Sequence, residues 1–186
     1  MSRVPAARAA AVRGLPVGFL AALLALSGCS WFSSSSSTPP AACPNAVILR
    51  SLANTAVFAP GAAPSPDNVR FYGLLSEVDR SCEAAGDAMR VTLDVIVIGQ
   101  RGPGAKSDAV DLTYFVAVTG PDQQIISKKP FAVHIAFEPD QIRSGVTDHI
   151  VETIPLAGRR ASDINLVLGF QQPPEVVDFY RHYRGR

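Results

Sequence analysis

Three cysteines, three histidines and one glycine-rich loop hold most of the chemistry available to this 186-residue chain. The loop is Gly99-Gln100-Arg101-Gly102-Pro103-Gly104-Ala105-Lys106-Ser107, which follows an apolar strand pattern and ends in a Lys-Ser pair. A phosphate cradle needs Gly directly before Lys-Ser or Lys-Thr, then a helix whose N-terminal amides face the phosphates. Here Ala105 intervenes and the next segment alternates like a strand, so the loop reads as a hairpin connector and no nucleotide is expected. His134 and His149 fall on strand-like segments with Glu138, Asp148 and Glu152 near in sequence, which suits a general base or a metal ligand. Against that, His134 alternates opposite Phe131, Val133, Ile135 and Phe137, where a solvent-facing or interface histidine is the simpler account, and His149 reads alike. Neither C-x-x-C, H-E-x-x-H nor G-x-S-x-G occurs, and no acid pair marks a hydrolase. The expectation is a protein that is not an enzyme and holds neither metal nor cofactor.

The remaining cysteine has a distinct setting. Arg3, Arg8 and Arg13 precede a twelve-residue apolar run, Leu15 to Leu26, with no acid before it. At ~1.5 Å rise such a run spans roughly 18 Å, short of the ~30 Å hydrocarbon core, as befits a cleaved secretory signal rather than a membrane helix. Leu26-Ser27-Gly28-Cys29 follows: an aliphatic residue, two small residues and Cys. On these residues the chain resembles the bacterial lipoprotein class, and overall it resembles uncharacterised envelope lipoproteins rather than any family of known chemistry. The resemblance implies a diacylglycerol on Cys29, cleavage after residue 28 and acylation of the new amino group. Because Asp beside that Cys is the familiar inner-membrane retention signal, Ser30 implies the outer membrane, with the protein anchored on its periplasmic face. Several acyl chains at ~0.8 kcal/mol per buried methylene make an anchor that does not release by equilibration.

Loss of Arg3, Arg8 and Arg13 would leave 14 basic against 16 acidic groups, where the whole chain carries 17 against 16. That balance argues against a nucleic-acid partner, since phosphate tracking needs a concentrated basic surface. Trp31 and Phe32 suit the acyl–headgroup boundary, although chance places aromatics there as readily. Residues 30–42, with Ser33 to Ser37 and Thr38-Pro39-Pro40, have no periodicity and read as a tether of about 20 Å. Cys43 and Cys82 remain as an even pair in an oxidising compartment and are expected to bridge, with two buried free thiols as the competing reading. The domain plan is therefore 1–28 signal peptide, 29–42 lipidated Cys and tether, 43–172 folded domain, 173–186 helix and tail.

From Val69 onward the pattern is period two, broken by turn residues, as in an antiparallel all-β domain. Met89, Val91, Leu93, Val95 and Val97 alternate with polar residues, and Ile96 and Ile98 then make both faces apolar, which predicts a central strand. A second strand covers Val110 to Val118, and Thr119 to Gln123 turns it into a hairpin. The return arm is interrupted at Lys128-Lys129-Pro130, a sign of an edge or bulge. Further strands are expected at Val146 to Ile154 and Ile164 to Gln171, six or seven in all. Val47 to Phe58 reads as a strand entering a turn, with Ile48, Leu52 and Ala56 at i, i+4 and i+8 leaving a helix as the other reading. The fold class is mainly β, a single antiparallel β-sandwich of immunoglobulin or fibronectin type III-like architecture with a short C-terminal helix.

That helix follows Pro173-Pro174, with Val176, Phe179, Tyr180 and Tyr183 at i, i+3, i+4 and i+7. It is expected to dock partially, leaving Arg181, Arg184 and Arg186 free to meet an anionic surface or acidic partner, and to serve function more than fold. Solvated cations complementing the helix dipole are the simpler account. The leading functional expectation is a non-enzymatic, outer-membrane-anchored lipoprotein whose sandwich is an interaction or structural module with an envelope protein partner. A small-ligand or glycan binder with a cavity between the sheets, and a cell-wall hydrolase with an unrecognised site, are the alternatives.

Overall fold

The computed structural model describes residues 42–183. The expectations for the signal segment, Cys29, the tether before residue 42, Arg184 and Arg186 lie outside the described residues. Within them run eight strands, β1 (Asn45–Ile48), β2 (Asn54–Phe58), β3 (Val69–Ala85), β4 (Ala88–Arg101), β5 (Ala109–Thr119), β6 (Ile125–Ala136), β7 (Arg143–Pro155) and β8 (Asn165–Phe170), then helix α1 (Pro174–His182). Sheet I has the order β1-β8-β5-β6 and sheet II the order β2-β3-β4-β7. The two pack into the expected β-sandwich. Its strand order is its own: β2, β3 and β4 are consecutive neighbours in one sheet, whereas immunoglobulin strands cross between sheets after B.

Period-two burial accounts for the layers. Along β4, Met89, Val91, Leu93, Val95 and Val97 are buried, facing Leu112, Tyr114, Val116, Leu166, Leu168 and Phe170 of sheet I across the core. β4 lies between β3 and β7, as its apolar faces predict, and Ile96 and Ile98 are half-buried on its outer side. Gly73 and Gly99 are register partners on adjacent strands. A Cβ at Gly73 would lie 2.8 Å from Leu112 Cδ1 and 3.1 Å from Phe170 Cζ, and one at Gly99 would lie 3.0 Å from Phe137 Cζ. The glycine pair is thus a dent in sheet II that receives large side chains of sheet I.

Several expectations are corrected. Val47 to Phe58 contains two strands around a 3-10 turn at Arg50–Leu52, and they belong to different sheets. β1 pairs with β8 in parallel, the exception among antiparallel pairings here; over a hundred residues separate them, so the connection imposes no hairpin. Residues 102–108 are a crossover from sheet II to sheet I rather than a hairpin loop. β6 is continuous through Lys128-Lys129-Pro130, with Pro130 opposite Phe115. It is nevertheless the edge strand that proline suggests: Pro130 occupies a non-hydrogen-bonded ladder position, so its missing N–H faces the open side and costs no bond.

Each open side of the sandwich is tied. On one, Cys43 and Cys82 form a disulfide across 39 residues, joining the chain just before β1 to β3 of the other sheet. On the opposite side, the Tyr114 hydroxyl donates to Asp148 Oδ2 at 2.7 Å, and Lys129 of β6 meets Glu152 of β7. The helix docks. Val176 and Phe179 are buried, Phe179 meets Phe58 edge-on with centroids 5.1 Å apart, and the Tyr180 hydroxyl donates to the Thr55 carbonyl at 2.9 Å. No helix of the described residues is long and apolar enough to cross a membrane.

Candidate functional site

The register gives the sandwich two distinct poles. Cys82 pairs with Val91, Ala85 with Ala88, Thr119 with Asn165, and Asn45 with Asn165, so the disulfide and the β3–β4 and β5–β6 turns gather at one end. Phe71 pairs with Arg101, Gln100 with Arg143 and Ala109 with Ala136, which brings the 59–68 segment, the 102–108 crossover and the β6–β7 loop to the other. From Val91 to Arg101, ten residues at about 3.3 Å each put ~33 Å between the poles. The chain enters at the disulfide pole, and α1 lies at the opposite one.

At that far pole lies an open groove of about 450 Å³. One wall is β2 from Thr55 to Phe58 with the following loop; the other is β5 from Asp111 to Thr113; Gln171, Pro173 and Glu175 close one end. The groove exists because strands of sheet I end at different points. β6 follows β5 to Ala109, but β8 pairs with β5 only as far as Tyr114, with Gln171 N–H adding one bond to the Thr113 carbonyl at 3.1 Å. Two residues later Pro173 diverts the chain into α1. Asp111 and Glu175 are the ionisable residues in the lining, and both are acidic.

The residues singled out by type and spacing are not brought together. His134 Nδ1 lies 2.7 Å from Asp111 Oδ1 on the outer face of sheet I, and His149 Nδ1 lies 2.7 Å from Asp94 Oδ1 on the outer face of sheet II. The two histidines therefore look outward from opposite layers, each paired with a carboxylate across a strand rather than with Glu138, Asp148 or Glu152, its neighbours in sequence. Asp148 serves Tyr114, Glu152 serves Lys129, and the Glu138 N–H donates to Gln141 Oε1. Among the described residues no three His, Cys, Asp or Glu side chains group as a metal ion requires.

The 102–108 crossover is pinned on both flanks. Arg101 donates to the Gln141 and Ser107 carbonyls and pairs with Asp108 at 2.7 Å, and the Gly102 and Gly104 N–H groups donate to the Arg70 and Val69 carbonyls. A Cβ at Gly102 would lie 2.2 Å from the Val69 carbonyl oxygen, which explains a glycine there without any phosphate. In the tail, Arg181 pairs with Asp178 at 3.2 Å, so it is not the free cation expected.

Two tyrosines have displaced acidities. Burial, the hydrogen bond to Asp148 and that carboxylate's charge hold the Tyr114 phenol protonated far above its ordinary range. Burial, and secondarily Tyr72, push Tyr180 up to about 12. Tyr72 and Tyr180 flank a shallow depression of about 340 Å³ on the outer face of sheet II, with Asn54, Gln100 and Arg143 beside them. Between the sheets, by contrast, the facing side chains of β4, β5 and β8 are buried, and a void beside Phe131 and Leu93 is about 10 Å³, about one water molecule.

Asp111, Thr113 and Glu175 were not singled out by sequence reasoning. The available signal was a mismatch of lengths, since the strand at 110–118 outlasts the one at 164–171 that pairs with it. Comparisons of the chain with family models, with curated proteins and with solved structures give no match.

Proposed function

We propose that this chain is a lipoprotein held in the outer membrane through acylated Cys29, and that its sandwich is a non-enzymatic interaction or structural module facing the periplasm. The observation that carries this reading is the division of labour between the poles. The chain enters beside a disulfide that ties it to β3, and the open groove and docked helix stand ~33 Å away. Tension on the anchor would pass through Cys43 directly into β3 and the core, bypassing the four-residue β1. Metabolic labelling with a palmitate analogue, followed by membrane fractionation, tests the anchor. Label on the wild type in outer-membrane fractions and none on Cys29→Ala is the expected result; equal labelling of both refutes it.

A second reading, glycan binding, draws on the Tyr72–Tyr180 depression, where aromatic faces lie beside amide and guanidinium donors. Protection of those tyrosines by soluble glycan fragments would favour it. A carrier would need an apolar cavity between the sheets far larger than the ~10 Å³ void beside Phe131 and Leu93.

A further inference from the structure

The groove at the far pole contains an interrupted strand position. Beside β5 in sheet I, β8 departs after Gln171, yet β5 continues to Ala109. The ladder identifies which backbone groups are left. The Phe137 N–H donates to the Asp108 carbonyl and the Gln171 N–H to the Thr113 carbonyl. Because hydrogen-bonded positions alternate along an antiparallel strand, the N–H and C=O of residue 111 point away from β6, toward the place β8 has left. Ala109 offers its carbonyl on the same side, where Ser107 Oγ already donates at 3.1 Å. From Ala109 to Thr113, four steps at about 3.3 Å each, the run spans roughly 13 Å, the length of a short added strand.

This stretch differs from the edge strand β6 of the same sheet. On β6, Lys128, Lys129 and Pro130 provide charge and a missing donor, the devices by which proteins discourage strand addition. On β5 between Ala109 and Thr113 there is no lysine and no proline, and the edge is recessed between β2 and α1 rather than exposed along its length. Its charge is also one-signed. Asp111 remains 81% exposed despite its contact with His134, Glu175 stands at the start of α1, and no Lys, Arg or His lines the groove. A segment entering as a strand thus meets backbone groups on one side and carboxylates along its path.

We propose that the groove takes an extended peptide segment of a partner protein, bearing Lys or Arg at alternate positions, as an added strand beside β5 at Ala109–Thr113. This names the partner class of the interaction module proposed above and rests on that reading; it does not depend on the lipid anchor. Main-chain bonds to Asp111 would supply affinity, and the carboxylates of Asp111 and Glu175 would select the basic side chains.

The test is affinity selection on the purified full-length chain from two hexapeptide libraries, one with Lys or Arg and one with Asp or Glu at alternate positions. The best peptide is then measured by fluorescence anisotropy and hydrogen–deuterium exchange. The basic library is expected to bind at least tenfold better, to slow exchange in residues 109–113, and to weaken at least tenfold when its alternate amides are N-methylated. Asp111→Asn with Glu175→Gln should flatten the salt dependence of binding while leaving the melting temperature within a few degrees. Equal binding of both libraries, protection on β6 or β7 instead, or indifference to N-methylation overturns the proposal. So does occupation of the groove by a second copy, seen as dimerisation, or by glycan fragments. Because Cys29→Ala protein serves equally well here, loss of peptide binding and loss of lipid labelling are separate outcomes. Envelope crosslinks to a partner outside residues 109–113 would preserve the module reading and end this one.

Discussion

Gly73→Ala probes the contact on which both the sandwich and the groove depend. The added methyl would meet Leu112 Cδ1 and Thr55 Cγ2 at 2.8 Å and Phe170 Cζ at 3.1 Å. None of these can retreat freely: Leu112 and Phe170 are 2% and 1% exposed, and Thr55 is 7% exposed. Overpacking of this kind costs about 1–3 kcal/mol, and the loss of glycine's unfolded-state freedom returns only about 0.4–1 kcal/mol. The net expectation is a destabilisation of about 1–2 kcal/mol, or roughly 3–6 °C in melting temperature for a domain of this size. Leu112 also lines the groove, so the same substitution should alter exchange rates in residues 109–113 before global unfolding. Gly86→Ala is the control, since nothing lies within 4 Å of its Cβ and its strain comes from φ +65 alone. Gly86→Asn, tolerant of that backbone, should recover most of the loss, whereas Gly73→Asn should be worse than Gly73→Ala. Guanidinium unfolding with thermal melts decides it. If Gly73→Ala is as stable as the wild type, the sheets are not interlocked at this glycine pair and the argument fails.

Replacing Cys43 and Cys82 together by Ser should cost up to roughly 4 kcal/mol by the chain-entropy account of a 39-residue loop, measured as a guanidinium midpoint shift that reducing agent reproduces in the wild type. Tyr114→Phe should cost about 1–3 kcal/mol by leaving Asp148 without its donor, and Tyr114→Phe with Asp148→Asn should cost less than the sum of the single changes. Stability should also fall as pH rises from about 10 toward 12, because the unfolded chain's tyrosines ionise near 10 while Tyr180 stays protonated to about 12. Tyr180→Phe should flatten that decline in pH-dependent melts, and an unchanged slope would show that the hydroxyl is as free in the folded state as in the unfolded.

Local patterns were enough to place most of the β architecture. Period-two burial in β4, in β5 as far as Tyr114 and in β8 as far as Leu168 is written into alternating residues, because a pleated strand sends successive side chains to opposite faces. The helix was legible from the spacing of Val176 and Phe179, and Pro130 marked an edge or a bulge, of which the structure has the edge, because a proline there is cheap only where its nitrogen faces outward. Pairing Cys43 with Cys82 was an expectation that set Cys29 aside on its resemblance to a lipobox cysteine and took the remaining two as a pair, and the disulfide is there. Relations between strands distant in sequence were not legible. Which acid each histidine meets, Asp111 for His134 and Asp94 for His149, depends on cross-strand register, and that register is set by how whole faces pack. The parallel seating of β1 on β8 and the role of 102–108 as a crossover likewise followed from the closing of two sheets rather than from local preference. The groove is the plainest case. Asp111, Thr113 and Glu175 are ordinary strand and helix residues, and only the unequal ends of β6 and β8 along β5, with β2 and α1 opposite, place them around one open backbone edge.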